Sequence, residues 1–148
     1  MALSQTVTTS FKVEILQGVH NFGPTDADTF KVALYTANAT LDANTTEYTS
    51  SNEITGTGYD AGGIELQVNP TPSYGINTQQ IPTAFVSFNP AQWDNASFTA
   101  RGALIYNSTQ SNKSVAVLDF GSDKTVVNQT FTITFPAANA NDAIIRIA

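Results

Sequence analysis

Residues 98–136 read FTARGALIYN (98–107), STQSNK (108–113), SVAVLDFGSDK (114–124, its first serine at 114) and TVVNQTFTITFP (125–136). Apolar residues come in short blocks, and Asn, Ser, Gly, Asp or Pro bounds each block. Consecutive antiparallel strands joined by short turns have this pattern. The reading gives strands at Phe98–Asn107, Ser114–Phe120 and Thr130–Phe135. The densest core is expected at Leu104, Tyr106, Val117, Phe120, Phe131, Ile133 and Phe135. Arg101 sits between Ala100 and Gly102 in an otherwise apolar strand. An arginine so placed usually has a carboxylate partner. Asp119, in the following strand, is the candidate, so Arg101 and Asp119 are read as a structural ion pair.

Working outward, Ser10–His20 has the pattern of one short helix. Phe11, Ile15, Leu16 and Val19 share a face, Ser10 or Thr9 can cap the start, and Gly18 and Gly23-Pro24 are stop signals. His20, at the end of that helix, is read as a cap on its last carbonyls. Asp28–Thr36 is a strand in which Phe30, Val32 and Leu34 alternate with Lys31, Ala33 and Tyr35. Asn38–Glu53 is polar, with a helical turn expected at Leu41–Thr46 and a short extended piece at Tyr48. Gly56–Gly63, with four glycines in eight residues, reads as a tight turn or bulge leading into a strand at Ile64–Val68. Asn69–Pro82 holds three prolines and reads as an exposed loop or arm. Thr83–Phe88 is a strand, Pro90 and Trp93 fall in a polar turn, and Ala143–Ile147 is a last strand. Strands and helices do not alternate. The expected fold is therefore one mainly β domain over residues 1–148: an antiparallel β-sandwich, jelly-roll-like or Greek key, of seven or eight strands with one short N-terminal α-helix.

Composition narrows the function classes. The chain has 148 residues, 41% hydrophobic but only 12% charged, about half the usual charged share. Its polar surface must come from Thr, Ser, Asn and Gln. Net charge is -6 and the six basic residues are scattered, so no nucleic-acid partner and no anionic membrane are expected. Cysteine is absent, which excludes disulfides and thiolate metal sites. The opening residues show neither a basic nor an apolar signal region, so no signal peptide is expected. No apolar run approaches the length of a membrane span.

Chemistry-bearing patterns are sparse. His20 is the only histidine and no G-x-S-x-G elbow exists, so no acyl-transfer triad is expected. Asp26, Asp28, Asp94, Asp119 and Asp123 stand at strand ends or turns, where Asp caps its own backbone. Asp26 and Asp28 resemble the start of a calcium loop whose remaining ligands are missing. Gly56–Gly63 lacks the Gly-Lys-Ser/Thr ending of a phosphate loop. Tyr35, Tyr48, Tyr59, Tyr74 and Trp93 are candidates for stacking on sugar, weighed against core roles. No catalytic residue, cofactor or metal ligand is assigned. The six N-x-S/T sequons of so Asn-, Ser- and Thr-rich a chain are read as chance.

FKVEILQGVHNF (11–22), DTFKVALYTANATL (28–41), EITGTGYDAGG (53–63) and the run from WDNASFTARGALIYN through AVLDFGSDK to FTITFP (93–136) resemble, in that order, small virion structural proteins of tailed phages and prophages, including phages of cyanobacteria. Some of these serve as capsid decoration ("cement") proteins. The resemblance implies a protein with no reaction to catalyse, made in the host cytoplasm and carried on the capsid surface of the virion. There it would bind the major capsid protein and bridge capsomers, and it would associate with itself as a dimer or trimer. The expected contact residues are Pro70, Pro72, Tyr74 and Ile76 of the arm and Phe11 and Ile15 of the helix. Other virion positions (neck, tail or baseplate) and a host-glycan-binding module are the alternatives.

Overall fold

A computed structural model describes residues 2–148. In chain order its elements are β1 (Thr6–Val7), α1 (Thr9–Leu16), β2 (Phe30–Tyr35), β3 (Ile64–Leu66), β4 (Ser73–Ile76), β5 (Pro82–Val86), β6 (Ala91–Asn107), β7 (Lys113–Ile133) and β8 (Ile145–Ile147). They form two antiparallel sheets, one ordered β1-β7-β6-β2-β3 and the other β4-β5-β8. The protein is mainly β, with eight strands and a single short helix among the described residues.

Residues 98–133 of the opening stretch belong to one long hairpin of β6 and β7. Its ladder runs from Asn107↔Lys113 beside the turn to Ala91↔Ile133 at the far end. The expected strand Ser114–Phe120 and most of the expected strand Thr130–Phe135, as far as Ile133, are thus parts of a single 21-residue strand. The polar Gly121-Ser122-Asp123 between them does not end the strand. It bulges out where the register jumps between Ala100↔Lys124 and Gly102↔Asp119. Gly121, at φ 77°, makes that bend, and its N–H is held by Asp119 Oδ1 at 2.8 Å. The bend lets Phe120 approach Phe131, with ring centroids 6.1 Å apart, although eleven positions separate them in sequence. β6 also begins earlier than expected. Trp93, read as a turn residue, lies on its inner face and is buried, packed on Tyr59 and Phe131.

Side chains of both sheets meet in one core. Phe30, Val32 and Leu34 of β2, Phe98 and Ile105 of β6 and Val115, Phe131 and Ile133 of β7 join Val86 of β5 and Ile145 of β8. Phe22 and Phe30 stack with centroids 4.2 Å apart, and Phe88 lies against both. Burying one such large apolar side chain is worth roughly 1.5–3 kcal/mol, so this aromatic layer is a principal source of stability. Of the expected core residues, Leu104, Tyr106, Val117, Phe131, Ile133 and Phe135 are buried and Phe120 is half-buried.

The five-stranded sheet is buried on its second face too. Ala33, Tyr35, Leu104, Tyr106 and Val117 pack there against Ala39 and Leu41, with Leu3 and Tyr48 alongside. Ala33 and Tyr35, the outward half of the β2 alternation, are therefore fully buried. A strand covered on both faces carries apolar residues in both alternating sets, as β2 does at every position but the half-buried Lys31.

The helix is shorter than its sequence pattern. Thr8 caps it, accepting from the Phe11 N–H at 3.4 Å, and Gly18 at φ 72° lies just past its end. Leu16, counted above as part of the apolar face, is 89% exposed. The Asn69–Pro82 segment is not a free arm either. It contains β4, which pairs with β5 from Ser73↔Phe85 to Ile76↔Pro82. Asn77 fixes the connecting loop, its Oδ1 accepting the N–H groups of Gln79 (2.9 Å) and Ile81 (3.0 Å).

Candidate interaction surface

The polar groups with the most chemical character are used internally. His20 is buried and does not cap helix carbonyls. Its Nε2 lies 2.6 Å from Glu14 Oε2 and its Nδ1 lies 3.0 Å from Asn107 Nδ2. The Asn107 amide also donates to Asp28 Oδ2 at 2.8 Å, and its Oδ1 accepts the N–H groups of Thr109 and Gln110. The amide nitrogen must therefore face the ring, so Nδ1 is the acceptor and the proton sits on Nε2, donated to Glu14. Burial opposes ionisation of Asp28. Hydrogen bonds from the Asn21 N–H, Asn107 and Gln110 outweigh it and hold the carboxyl below its ordinary value. The chain Glu14–His20–Asn107–Asp28 ties the helix and the segment after it to the β6–β7 turn.

A second network fastens the cover of the outer face. Glu53 accepts from Tyr48 Oη (2.6 Å), Tyr59 Oη (2.5 Å) and the Gly62 N–H (2.7 Å). Tyr106 Oη donates to the Gly62 carbonyl, and Tyr35 Oη to the Thr49 carbonyl. Burial first, and the negative Glu53 second, push all four phenols up, Tyr106 to about 12. Sequence reading missed Glu53, because nothing local marks one glutamate as the meeting point of residues 48, 59 and 62.

Arg101 Nε lies 3.7 Å from Asp119 Oδ1, and its Nη1 lies 3.8 Å from Asp123 Oδ1. The bulge at Gly121 brings the second aspartate round. These contacts are long and about one third of the arginine side chain is exposed, so they contribute at the weak end of ion pairing. Among the described residues, no group of three or more His, Asp or Glu side chains is placed to hold a metal ion.

The residues expected to meet partners divide. Phe11 points into the core at 2% exposure, so it is a core residue that no more than lines the groove described below, and not the projecting contact residue expected. Ile15 is half-buried against that core. Pro70 is half-buried, while Pro72, Tyr74 and Ile76 are exposed. Tyr74 and Ile76 belong to a larger feature. The β4–β5–β8 ladder aligns Tyr74↔Ala84↔Ile147 and Ile76↔Pro82, and cross-strand partners and i, i+2 neighbours share a face. Tyr74 (86% exposed), Ile76 (64%) and Ile147 (57%), with exposed Pro82 and Ala84, thus form one solvent-facing apolar surface without a charged side chain. Farther along the same face, Val86 and Ile145 are buried. An eight-residue helix is only about 12 Å long. Beside α1 a groove of about 340 Å³ opens, lined by Ala84 and Ile147 of the sheet and by Phe11, Ile15 and Phe22. Of the aromatics considered for sugar stacking, Trp93, Tyr35 and Tyr59 are buried and Tyr48 is half-buried, leaving Tyr74 widely exposed.

No protein-family model matches the chain, and the searches of curated proteins and of solved structures found no significant match.

Proposed function

We propose that this protein is a non-catalytic structural component of a virion, a capsid decoration protein that binds the major capsid protein on the outer surface of the head and bridges capsomers. The observation that carries the reading is the small β4–β5–β8 sheet, which leaves both its β4 edge and an uncharged apolar face of Tyr74, Ile76, Pro82, Ala84 and Ile147 open to neighbours. An exposed apolar surface of this kind marks an interaction site. The sequence resemblance supplies the capsid context. A surface dominated by short hydroxyl and amide side chains suits many neutral hydrogen bonds, and weak contacts repeated over a symmetric shell add through multivalency.

The segment Asn69–Ser73 and the backbone edge of β4, which borders the three-stranded sheet, are assigned to the shell contact. An edge strand can add to a neighbour's sheet by backbone pairing. Charges there oppose such pairing, so Thr71→Asp with Ser73→Asp is expected to lower occupancy on particles at least tenfold while leaving the melting temperature within a few degrees. Full decoration by that variant would remove the edge assignment. The function itself is tested by stripping: particles lacking the protein should break at a lower temperature than complete ones, and equal fragility would end the cement reading. A neck, tail or baseplate component would be present in a few to a dozen copies per particle, a decoration protein in hundreds.

A further inference from the structure

We propose that a second copy of this chain covers the apolar face of the β4–β5–β8 sheet, the two copies being related by a twofold axis and each Tyr74 seated in the groove of the other. A twofold contact uses the same patch on both copies, so the patch must be complementary to itself. This one is. Tyr74 projects from it at 86% exposure, and its direct cross-strand neighbour Ala84 lines the groove between the sheet and α1. A projection and a hollow therefore lie side by side on one surface, and a half-turn places each over the other.

Charge favours the same occupant. Two copies of a chain of net charge -6 repel least where the facing surfaces bear no charge. Tyr74, Ile76, Pro82, Ala84 and Ile147 bear none, and the one titratable side chain in the groove lining, His20, is buried and hydrogen-bonded to Glu14. Arg146 belongs to the opposite face by strand alternation. Tyrosine is a favoured anchor at such contacts, because it brings a large rigid apolar ring at little entropic cost.

Size sets the strength. A standard stable interface buries about 800 Å² on each partner, and a few residues on three short strands with one groove fall below that. The dimer is therefore expected to be weak in free solution. Concentration on a lattice would populate it fully. The inference concerns the face of the sheet and not its β4 edge, and it does not depend on the capsid reading.

Sedimentation equilibrium of the purified protein from 5 to 500 μM tests it with no particle present. The weight-average mass is expected to rise from the 15.8 kDa of one chain towards twice that value. Tyr74→Ala and Ile76→Asp, both at exposed positions, should each weaken association at least tenfold with an unchanged circular dichroism spectrum. Because the chain has no cysteine, single thiols report the geometry cleanly. A mixture of Tyr74→Cys and Ile15→Cys proteins should cross-link on oxidation, whereas Tyr74→Cys mixed with Asn112→Cys, at the β6–β7 turn, should not. A monomer at 500 μM overturns the proposal. So does a dimer that survives both substitutions, and so does growth beyond the dimer, which would mean a head-to-tail contact. None of these outcomes bears on whether the protein decorates particles.

Discussion

The hydroxyl of Tyr59 joins two parts of the chain: it donates to Glu53 Oε1 at 2.5 Å and accepts the backbone N–H of Leu34, in β2, at 2.9 Å. Leu34 in turn gives its carbonyl to the N–H of Ile54, beside Glu53. One carboxylate thus pins the covering segment to β2 of the five-stranded sheet. Replacing it orphans three donors, each costing about 1–3 kcal/mol when buried and less where water reaches. Glu53→Ala is expected to cost about 3 kcal/mol in total, lowering the melting temperature by roughly 6–12 °C. Glu53→Gln, which keeps one acceptor oxygen, should lose about half as much. Calorimetry of the two variants checks this, and a melting temperature unchanged in Glu53→Ala would contradict it.

The same cluster predicts alkaline behaviour. The folded-state value of Tyr106 lies at about 12, above the ordinary 10.0, and those of Tyr35, Tyr48 and Tyr59 are raised too. The unfolded chain therefore releases these protons first. Stability is full below pH 10 and falls as pH rises through the folded-state values. Absorbance at 295 nm should show phenolate appearing in step with the loss of β-sheet circular dichroism above pH 10. Ionisation of these phenols well before unfolding would count against the network.

At acid pH the sign reverses. Asp28 is held below its ordinary 3.8, so the folded state binds fewer protons than the unfolded one around that value. Its contribution is present above about pH 4 and disappears as pH falls through the lowered value. Asp28→Asn should lower stability by about 1–2 kcal/mol at pH 7 and match the unsubstituted protein near pH 2. Thermal melts at both pH values decide it, and a difference that does not shrink would show that the bonds to Asn107, Gln110 and the Asn21 N–H do not depend on the charge.

Two glycines with nearly equal φ should behave differently. Gly63 (φ 75°) sits against β2, where a Cβ would collide with the Val32 carbonyl, whereas Gly121 (φ 77°) has nothing within 4 Å of that position. Gly121→Ala should cost only the left-handed backbone term, about 1–2 kcal/mol. Gly63→Ala must also displace β2 or the turn, and the expected result is loss of the folded state at 37 °C. Soluble yield and urea midpoints would separate the two.

Residue patterning revealed some levels of this fold and hid others. Alternation at Phe30–Tyr35 and the short apolar blocks within the expected strands Ile64–Val68 and Phe98–Asn107 mark strands correctly, because strand preference and side-chain direction are local properties. The polar Gly121–Asp123 reads locally as a break between strands, because bulge and turn use the same residues, and the pairing that distinguishes them involves β6, twenty positions away. Ala33 and Tyr35 gave no sign of burial on a second face, since the residues covering them come from elsewhere in the chain. Within the candidate surface, Tyr74 and Ile76 could be picked out as apolar residues in a polar stretch. Their neighbours Ala84 and Ile147 could not, because only the ladder register places them beside Tyr74.

The unequal lengths of the strands bear on how this molecule would fail under tension. The N-terminal end is held in its sheet by the two register pairs of β1, and the C-terminal end by the three of β8. The β6–β7 hairpin is zipped through thirteen aligned pairs. A pull applied through the chain ends meets the short margins first. They would peel away at low force and extend, and the hairpin would remain closed. Rupture would begin at the periphery and dissipate work there, sparing the structure at the centre.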